Sequence, residues 1–575
     1  MPTDPFVHLH VASGYSLRHG ASHPGALVAR AAELGMGALA LTDRDGVRGA
    51  VKFAKSCLVH GLAPILGADL AVTPDDDSAA AGHRPNRRLP ARGGAVVDPR
   101  HPRVTVLARG GPLTPVRPGG GVPTGAGWAA LNRLVSATHL GTGEAPGERG
   151  RPVSSRELVA QHAESGGLVV LLGPDSEVGR ALAVRRPDLA RVALDRWQEV
   201  VAPALLRIEV VSHRGPGSGL GSSVLAARLL SFARDQGLEA VLTNTVRYAD
   251  PSGAATSDLL DSARRLVALD LRHVDRVNAE GFLKPGAAMT QVAVEVARLA
   301  GGAGDTEATC VRRLLDATAA LAADCVLDPA RDLGLGAVHL PELAVVDASG
   351  RPAPVVLRER CEAGLAVRYP GGARLRRAAQ VRLDDELAVI GTLGYETYFL
   401  TVAEVCALTR SLGVRAAARG SGAGSLVLHV LGVSGVEPLR HGLLMERFLT
   451  PLRQALPDVD IDVESARRGE VYDAVLDRFG GDRCVCVSMM DTYRVRHAVR
   501  DVGAALGLPP GEVDAIAKAF PHIRARDARA ALADLPELRA SRLGAGGAQG
   551  LDTFFGLVES LDGLPRHVAL HPCGV

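Results

Sequence analysis

Along the first 72 residues, short apolar runs alternate with amphipathic stretches whose apolar residues recur at helical spacing. The short runs predict β-strands, and the longer stretches predict helices. In chain order these are a strand at Phe6–Val11, a helix at Pro24–Leu34, a strand at Ala38–Leu41, a helix at Val47–Val59 and a strand at Pro64–Val72. This order predicts parallel strands joined by helical crossovers.

Further short apolar runs extend the pattern to about residue 250. They predict strands at Arg103–Leu107, Leu168–Leu172, Leu205–Val211 and Ala240–Asn244. Residues 75–128 are rich in Pro, Gly and Asp and predict a long irregular insertion around the first of these strands. Residues 255–370 have helical spacing and predict a set of packed helices without evident chemistry.

The carboxyl half of the chain predicts further helices. Leu383, Leu387 and Ile390 form a helical stripe, and Thr401 with Glu404 fits a capping box that would open the next helix. The remaining predicted helices are Val471–Phe479, Met489–Leu506 and several within residues 508–560.

Between these helices, acids alternate with apolar β-branched residues from Pro457 to Val463. This is the period of a half-buried strand, and it places Asp458, Asp460 and Asp462 on one face, with successive Cα atoms roughly 6.6 Å apart. Carboxylates so close repel one another, and a bound divalent cation relieves the repulsion. Two such ions form the clamp used in phosphoryl and nucleotidyl transfer.

Two other interpretations of this stretch are a solvated acidic edge strand and a calcium loop. The calcium loop is rejected because Val463 and Gly469 stand where Gly and Glu are needed. The solvated strand stays open unless a second element of a site is present.

A glycine-rich run at Arg419–Ser425 is a candidate for that second element. Gly420, Ser421, Gly424 and Ser425 supply backbone amides and hydroxyls for an anion-binding nest, and Arg419 adds a charged donor. The Lys-Ser/Thr ending of a P-loop is missing, and a plain flexible loop is the alternative. A phosphate loop followed by a carboxylate strand together predict a nucleoside triphosphate site.

Composition narrows the class of protein only slightly. At 575 residues, two to four domains are expected, and a net charge of +2 gives no overall basic field for nucleic acid. Eight cysteines without C-x-x-C pairs fit a reducing compartment, and no apolar run approaches a membrane span. We therefore expect a cytoplasmic protein without a membrane association.

Several segments match one family in order and spacing. GYETYFLTVAEV, RGSGAGSLV, GVEPLRHGLLMERFL and PDVDIDVESARR lie between Leu393 and Arg468, and TYRVRHAVRDVG and RHVALHPCGV follow. They resemble the palm and adjoining regions of bacterial C-family DNA polymerases, the DNA polymerase III alpha-subunit group. FVHLHVASGYSL, GASHP and ALALTDRDGVRGAVKFAK resemble the PHP domain of that family. GASHP, PDVDIDVES and TYRVRHAVRDVG are most similar to its error-prone, damage-tolerant branch.

The resemblance implies an α/β multidomain fold, in which a PHP-type β/α barrel of seven strands precedes a nucleotidyltransferase-like palm with a helical thumb insertion. The domains it implies are a PHP domain at 1–250, a helical connection at 251–380, a palm at 381–465, a thumb at 466–560 and the start of a returning palm strand at 561–575.

The resemblance also implies a reaction, which is attack of a primer 3′-hydroxyl on the α-phosphate of a dNTP during DNA repair or translesion synthesis. Asp460 and Asp462 would hold two Mg²⁺ ions, and Asp458 would support them. The loop from Arg419 to Ser425 would bind the phosphates, while Arg496 and Arg500 are candidates for contacts to triphosphate or template. The implied partners are primer-template DNA, a sliding clamp and mutasome or replisome proteins.

In the PHP region, His8, His10, Asp43 and Asp69 occupy positions of a metal cluster that hydrolyses phosphoesters in active PHP domains. Other positions depart from that pattern, namely Arg44, Thr245, Arg247 and Val11-Ala12, where a further His is missing. Because an arginine cannot ligate a metal and repels one nearby, we expect a structural PHP domain with a vestigial site. A PHP phosphoesterase remains the less favoured alternative.

The family palm carries a third catalytic carboxylate shortly after the HPCGV stretch that ends at Val575. We therefore expect this chain to be truncated before the fingers and impaired as a polymerase. The alternative is a non-catalytic remnant that binds DNA or a partner.

Overall fold

The computed structural model describes residues 4–74, 94, 97–110, 124–141, 152–164, 167–301, 306–346, 350–452, 456–480, 483–534, 548–571 and 573–574. The chain divides into two compact units. Unit 1 comprises Met1–Leu335 and Met490–Val568, and unit 2 comprises Gly336–Met489 and Ala569–Val575. None of the helices in the described residues has the length and apolar character that a membrane crossing requires.

Unit 1 is built on a six-stranded sheet with the strands in sequence order. The strands are β1 (Ala38–Arg44), β2 (Ala63–Ala71), β3 (Arg103–Ala108), β4 (Leu168–Leu172), β5 (Leu206–Val211) and β6 (Ala240–Thr243). All neighbours are parallel except at β3, which runs antiparallel to both β2 and β4. No helix lies between β2 and β3 in the described residues, and an antiparallel neighbour needs no helical crossover.

The predicted strand at Phe6–Val11 is wrong as a regular strand, but the segment closes the sheet. Ala40 donates a backbone hydrogen bond to His8 and Thr42 donates one to Val11, which ties the segment to β1. On the other side, next to the end of β6, Ala12 donates to the Val246 carbonyl and Val246 donates to the His10 carbonyl, which makes a parallel bridge between Val11 and Val246. The irregular segment therefore stands in the place of a seventh strand.

Helices surround this sheet, and one large apolar core lies between them and the strands. The helices of this part of unit 1 are α1 (Pro24–Glu33), α2 (Ala50–His60), α3 (Ala126–Leu140), α4 (Arg156–Ala163), α5 (Glu177–Ala183), α6 (Pro187–Val200), α7 (Ser223–Asp235), α8 (Ala254–Arg265), α9 (Gly286–Ala300) and α10 (Glu307–Cys325). The predicted α1 and the strand β4 are confirmed almost to the residue. The predicted insertion at 75–128 lies partly outside the described residues, but its strand is present as β3.

Unit 2 is mostly helical around a two-stranded sheet. Its elements are α11 (Ala353–Arg368), α12 (Ala373–Leu393), α13 (Glu396–Ser411), β7 (Ala416–Arg419), α14 (Leu426–Val430), β8 (Asp460–Val463) and α15 (Arg468–Phe479). The helical stripe on α12 is confirmed, because Leu383, Leu387 and Ile390 are all buried. The capping box is wrong, because Thr401 lies inside α13 and donates its hydroxyl to the Thr397 carbonyl.

The chain then returns to unit 1. The elements from there on are β9 (Ser488–Thr492), α16 (Val495–Ala505), α17 (Pro510–Ala519), α18 (Ala528–Asp534), α19 (Ala548–Ser560) and β10 (Pro565–Leu570), and β9 pairs with β10. The helix predicted at Met489–Leu506 is therefore wrong in its first turn, which is a strand. A second apolar core joins the returning helices to Leu259 and Leu260 of α8.

The boundary between the units at Met489 falls inside the predicted thumb, 466–560. The predicted domain bounds stay a prediction.

Candidate functional site

The acidic strand β8 pairs antiparallel with β7, and this register builds the candidate site of unit 2. Arg419 lies opposite Asp460, and Ala417 lies opposite Asp462. Residues that face each other across a pair, and residues two apart on one strand, share a face of the sheet. The side chains of Arg419, Asp460 and Asp462 therefore project together, as the alternation of acids predicted for the two aspartates.

Arg419 bridges the two carboxylates. Its Nε lies 2.9 Å from Asp462 Oδ1, and its Nη1 lies 3.4 Å from Asp460 Oδ2. The side chains are 61%, 50% and 65% exposed for Arg419, Asp460 and Asp462, so water screens the ion pairs and each contributes little to stability. A cation that binds both carboxylates can replace this guanidinium at small cost.

Asp458 lies two residues before β8 and is exposed. The strand is four residues long, shorter than the seven-residue alternation suggested, so Asp458 is outside the ladder that fixes Asp460 and Asp462. Its supporting role stays a prediction.

The glycine-rich run begins directly beside the acids. Gly420 has a φ of +69°, which a residue with a side chain rarely adopts, and a Cβ there would lie 3.4 Å from Asp460 Oδ2. Gly420–Gly424 then forms a short 3-10 helix, in which Ser421 is exposed. Backbone amides at the start of such a turn, the Ser421 hydroxyl and Arg419 are donors for an anion.

Ser425 and Gly424 are placed differently from the prediction. Both are buried, and the Ser425 hydroxyl caps α14 by accepting from Leu428 N while donating to Glu386 Oε2 at 2.9 Å. A hydroxyl with both roles filled inside the core is not free to bind a phosphate. Ser425 therefore does not bind phosphate as predicted, and instead anchors the end of the loop to Glu386 of α12.

Glu386 is the residue that the sequence analysis missed. Its carboxylate is buried, and it also accepts hydrogen bonds from the amides of Leu426 and Val427 at the start of α14. Arg382 Nε donates to it at 2.7 Å. The signal in the sequence was an acid inside the apolar stripe of α12, where an unpaired carboxylate would be costly.

The residues of this site fit a divalent metal. The donors are carboxylate oxygens, which hard cations prefer, and they already converge on one positive group, the guanidinium of Arg419. Asp460 and Asp462 would hold the ion, with Arg419 turning away to a bound phosphate.

Arg496 and Arg500 lie on α16 in unit 1, whereas the acidic strand belongs to unit 2. Arg496 Nε donates to the Phe520 carbonyl at 2.7 Å, and Arg500 pairs with Asp514 at 2.9 Å. These contacts tie α16 to α17 and the segment after it. The predicted contacts to triphosphate or template stay a prediction.

The predicted PHP residues His8, Asp43 and Asp69 are buried, and His10 is nearly so. Burial lowers the pKa of His8 to about 4, and its Nε2 donates to the Lys284 carbonyl. His10 pairs with Glu209 at 2.8 Å, which raises its pKa in spite of burial. Burial raises the pKa of Asp43 to about 6, although Ser13 and Ser16 donate hydrogen bonds to its carboxylate.

Asp69 is held by arginines. Arg44 Nε lies 3.1 Å from its carboxylate and Arg103 Nε lies 2.9 Å from it. Burial would raise the pKa of Asp69, but the two guanidiniums hold it below its usual value. A metal would have to displace both cations, so these predicted residues do not fit the metal cluster of an active PHP domain.

Two regions of the chain match known families. Residues 355–575 match the family model described as the bacterial DNA polymerase III alpha NTPase domain, and residues 8–213 match the PHP domain. The chain therefore has one region similar to the bacterial DNA polymerase III alpha NTPase domain and one similar to the PHP domain, the two regions that the sequence motifs predicted.

The chain is also similar to proteins named error-prone DNA polymerase. It is 32% identical to the one from Nocardia farcinica, covering 100% of this chain and 47% of the relative. It is 33% identical to the one from Symbiobacterium thermophilum, covering 93% of this chain and 44% of the relative. The chain is 29% identical to the DNA polymerase III subunit alpha of Saccharopolyspora erythraea, covering 100% of this chain and 46% of the relative. The chain thus spans about half the length of the curated relatives it matches.

Among solved structures, an amidohydrolase from Chromobacterium violaceum is 18% identical with a TM-score of 0.25, covering 42% of this chain and 87% of that chain. A likeness at this level adds nothing to the fold described above.

Proposed function

We propose that this chain acts in template-directed nucleotidyl transfer as a DNA-directed DNA polymerase of the error-prone type, in DNA repair and translesion synthesis. The observation that supports this most is the exposed pair Asp460 and Asp462, whose carboxylates converge on Arg419 beside Gly420. The proposed substrates are primer-template DNA and dNTPs, and the proposed partners are a sliding clamp and mutasome or replisome proteins.

The proposed metal is Mg²⁺, as two ions, because the available ligands are hard carboxylate oxygens. The chemistry that metal supplies in such a site is charge neutralisation on the transferring phosphoryl group and activation of the attacking hydroxyl. Asp460 and Asp462 hold the negative charge that gathers the cations. Arg419, Ser421 and the loop amides orient the β- and γ-phosphates by charge-assisted hydrogen bonds.

Primer extension tests this proposal. With Mg²⁺ and dNTPs, we expect weak extension on damaged and undamaged templates, in keeping with an impaired polymerase, and we expect it to be lost in Asp460→Ala and in Asp462→Ala. Asp473→Ala is the matched control, because Asp473 is an exposed acid on α15 of the same unit, away from the strand pair. Extension that survives both strand substitutions would contradict the proposal. DNA binding without any extension would favour the non-catalytic alternative.

A further inference from the structure

A cavity of about 580 Å³ opens at the rim of the unit 1 sheet, and His10 and Asp69 of the vestigial PHP residues line it. It lies where β1 and β2 end and where polar side chains from β3 and β5 reach the same rim. This edge is where parallel α/β barrels carry their ligands. The volume is that of a small-molecule site, for which about 300–1,000 Å³ is usual.

The walls of this cavity carry an excess of positive charge. Among the described residues, ten arginines and six carboxylates line it. Four of the arginines pair with acids outside the lining. Arg247 and Arg264 pair with Asp261, Arg276 pairs with Asp258, and Arg566 pairs with Asp501. With these three acids counted, nine carboxylates face ten guanidiniums, so a small excess of positive charge remains.

Two lining arginines have no carboxylate partner within the part of the chain that the structure describes. Arg18 donates to the Ala263 carbonyl, and its buried Nε has no partner there. Arg48 is an exposed lining residue that makes no hydrogen bond or ion pair with the described residues, although the charges of Asp45 and Asp43 act on it. Arg48 can therefore contact a ligand without breaking an existing ion pair.

Burial and the excess of positive charge both lower the pKa of His19 and Arg44, which line the cavity. Burial lowers the pKa of His19 well below its usual value, and Arg247, Arg44 and Arg264 lower it further. Burial also lowers the pKa of Arg44, and the nearby Arg103 adds to this effect. A negative charge bound in the cavity would raise the pKa of both groups towards its usual value.

A metal ion does not fit the acidic cluster beside this cavity. His19, Asp261 and Asp275 come within 4.8 Å of one another in the described residues, which is close enough for a shared ion. However, Arg264 lies 2.8 Å from Asp261 and 2.5 Å from Asp275. Arg264 already neutralises these two carboxylates, so this cluster does not suit a metal ion.

We propose that this cavity binds a phosphate-bearing anion of up to nucleotide size, directly through its arginines and without a metal. A phosphate monoester carries close to two negative charges near neutral pH and presents several acceptor oxygens, which suits guanidiniums that approach from several walls. The PHP domain here is a binding module for an anion at the position where its relatives with histidine and aspartate clusters hold metal. Binding at this cavity does not depend on the proposed polymerase activity.

The test is isothermal titration calorimetry of the full chain with a chelator present and with two separate probes, inorganic phosphate and dAMP. We expect saturable binding that weakens by about tenfold or more in Arg44→Gln, because a charge-assisted contact is lost. Arg48→Gln is the second variant, since Arg48 makes no hydrogen bond or ion pair with the described residues that the substitution would break. Arg186→Gln is the matched control, because Arg186 is exposed on unit 1 and pairs with Asp188.

Arg419→Gln separates this cavity from the glycine-rich loop of unit 2. Binding of both probes that falls with Arg48 and not with Arg419 supports recognition of the phosphate group itself, and binding of dAMP alone supports a nucleotide as its source. The proposal is overturned if neither probe binds by about 1 mM, if binding requires added metal, or if affinity falls in Arg419→Gln but not in Arg48→Gln.

Discussion

Glu386 illustrates how one buried side chain can set the position of a surface loop. Its two oxygens accept from Ser425, Leu426 and Val427, so the first turn of α14 is fastened to α12. The amide groups at a helix start carry partial positive charge, and a carboxylate is the group that satisfies them best. The glycine-rich run ends on this anchor, while its other end begins at β7.

Replacing Glu386 tests this role at the scale of one residue. In Glu386→Gln, an amide NH₂ would face backbone donors, so we expect a loss of about 1–3 kcal/mol in the free energy of unfolding. Glu362→Gln, on an exposed position of α11, should change it by no more than about 0.5 kcal/mol. Urea titration followed by far-UV circular dichroism measures both, and equal effects would contradict the anchoring role.

The pKa of His213 leads to a second prediction for a single residue, which concerns how stability depends on pH. Burial lowers its pKa to about 4, and its Nε2 lies 2.8 Å from the Asn244 carbonyl. Below the usual pKa of 6.5, the unfolded chain takes up a proton that the folded chain refuses. The stability that the neutral ring contributes is therefore present above pH 6.5 and is lost as the pH falls towards 4.

Because Asp43 titrates in the opposite sense over part of this range, the effect of His213 is best seen as a difference. We expect stability to fall less steeply between pH 6.5 and 4 in His213→Gln than in the unchanged chain, by about 3 kcal/mol at the acid end. His60→Gln, on the exposed end of α2, is the control. Denaturant midpoints measured at a series of pH values report the slopes, and parallel slopes would refute the prediction.

At the scale of elements, the pairing of β7 with β8 explains why one arginine lies between two acids. The register places Arg419 opposite Asp460, and the following Gly420 turns the chain away with a positive φ. The arginine can therefore compete with a metal for the same carboxylates and can also reach an anion bound at the loop.

Removal of Arg419 should thus have opposite effects on two ligands. In Arg419→Ala, we expect Mn²⁺ to bind Asp460 and Asp462 more tightly, because a competing cation is gone, while dNTP affinity falls by about tenfold. Arg415→Ala is the matched control, because Arg415 lies just before β7 and pairs with Glu464. Electron paramagnetic resonance of Mn²⁺ and equilibrium dNTP binding measure the two effects, and changes in the same direction would count against shared carboxylates.

The elements also show what the sequence could and could not predict. Leu168–Leu172 is an unbroken apolar run, and the acids near Asp460 alternate, so length and period defined both strands. The antiparallel direction of β3 was not predictable, because a run of apolar residues reads alike in either direction. The burial of Ser425 was missed for a related reason. A Gly/Ser composition indicates a turn, but which hydroxyl faces the core depends on Glu386, 39 positions away.

At the scale of the whole molecule, each unit has its own apolar core. The chain's two tryptophans, Trp128 and Trp197, both lie in unit 1. Tryptophan fluorescence therefore reports unit 1, whereas far-UV circular dichroism reports the helices of both units.

This difference in probes makes the division testable. Phe448→Ala removes a fully buried ring from unit 2 and should cost that unit about 3–5 kcal/mol. We expect an earlier loss of circular dichroism with an unchanged fluorescence midpoint. Leu171→Ala in the core of unit 1 should shift the fluorescence midpoint instead. A fluorescence shift in Phe448→Ala would mean that the whole chain unfolds in one transition.

Because the chain returns to unit 1 late, one apolar core of that unit stays incomplete during most of its synthesis on the ribosome. Leu259 and Leu260 emerge early, yet the side chains that cover them, from Tyr493 to Leu564, are made only after all of residues 336–489. At about 5–20 residues per second, that leaves these leucines uncovered for roughly ten seconds or more. Nascent chains stalled in this interval should be the ones that chaperones bind.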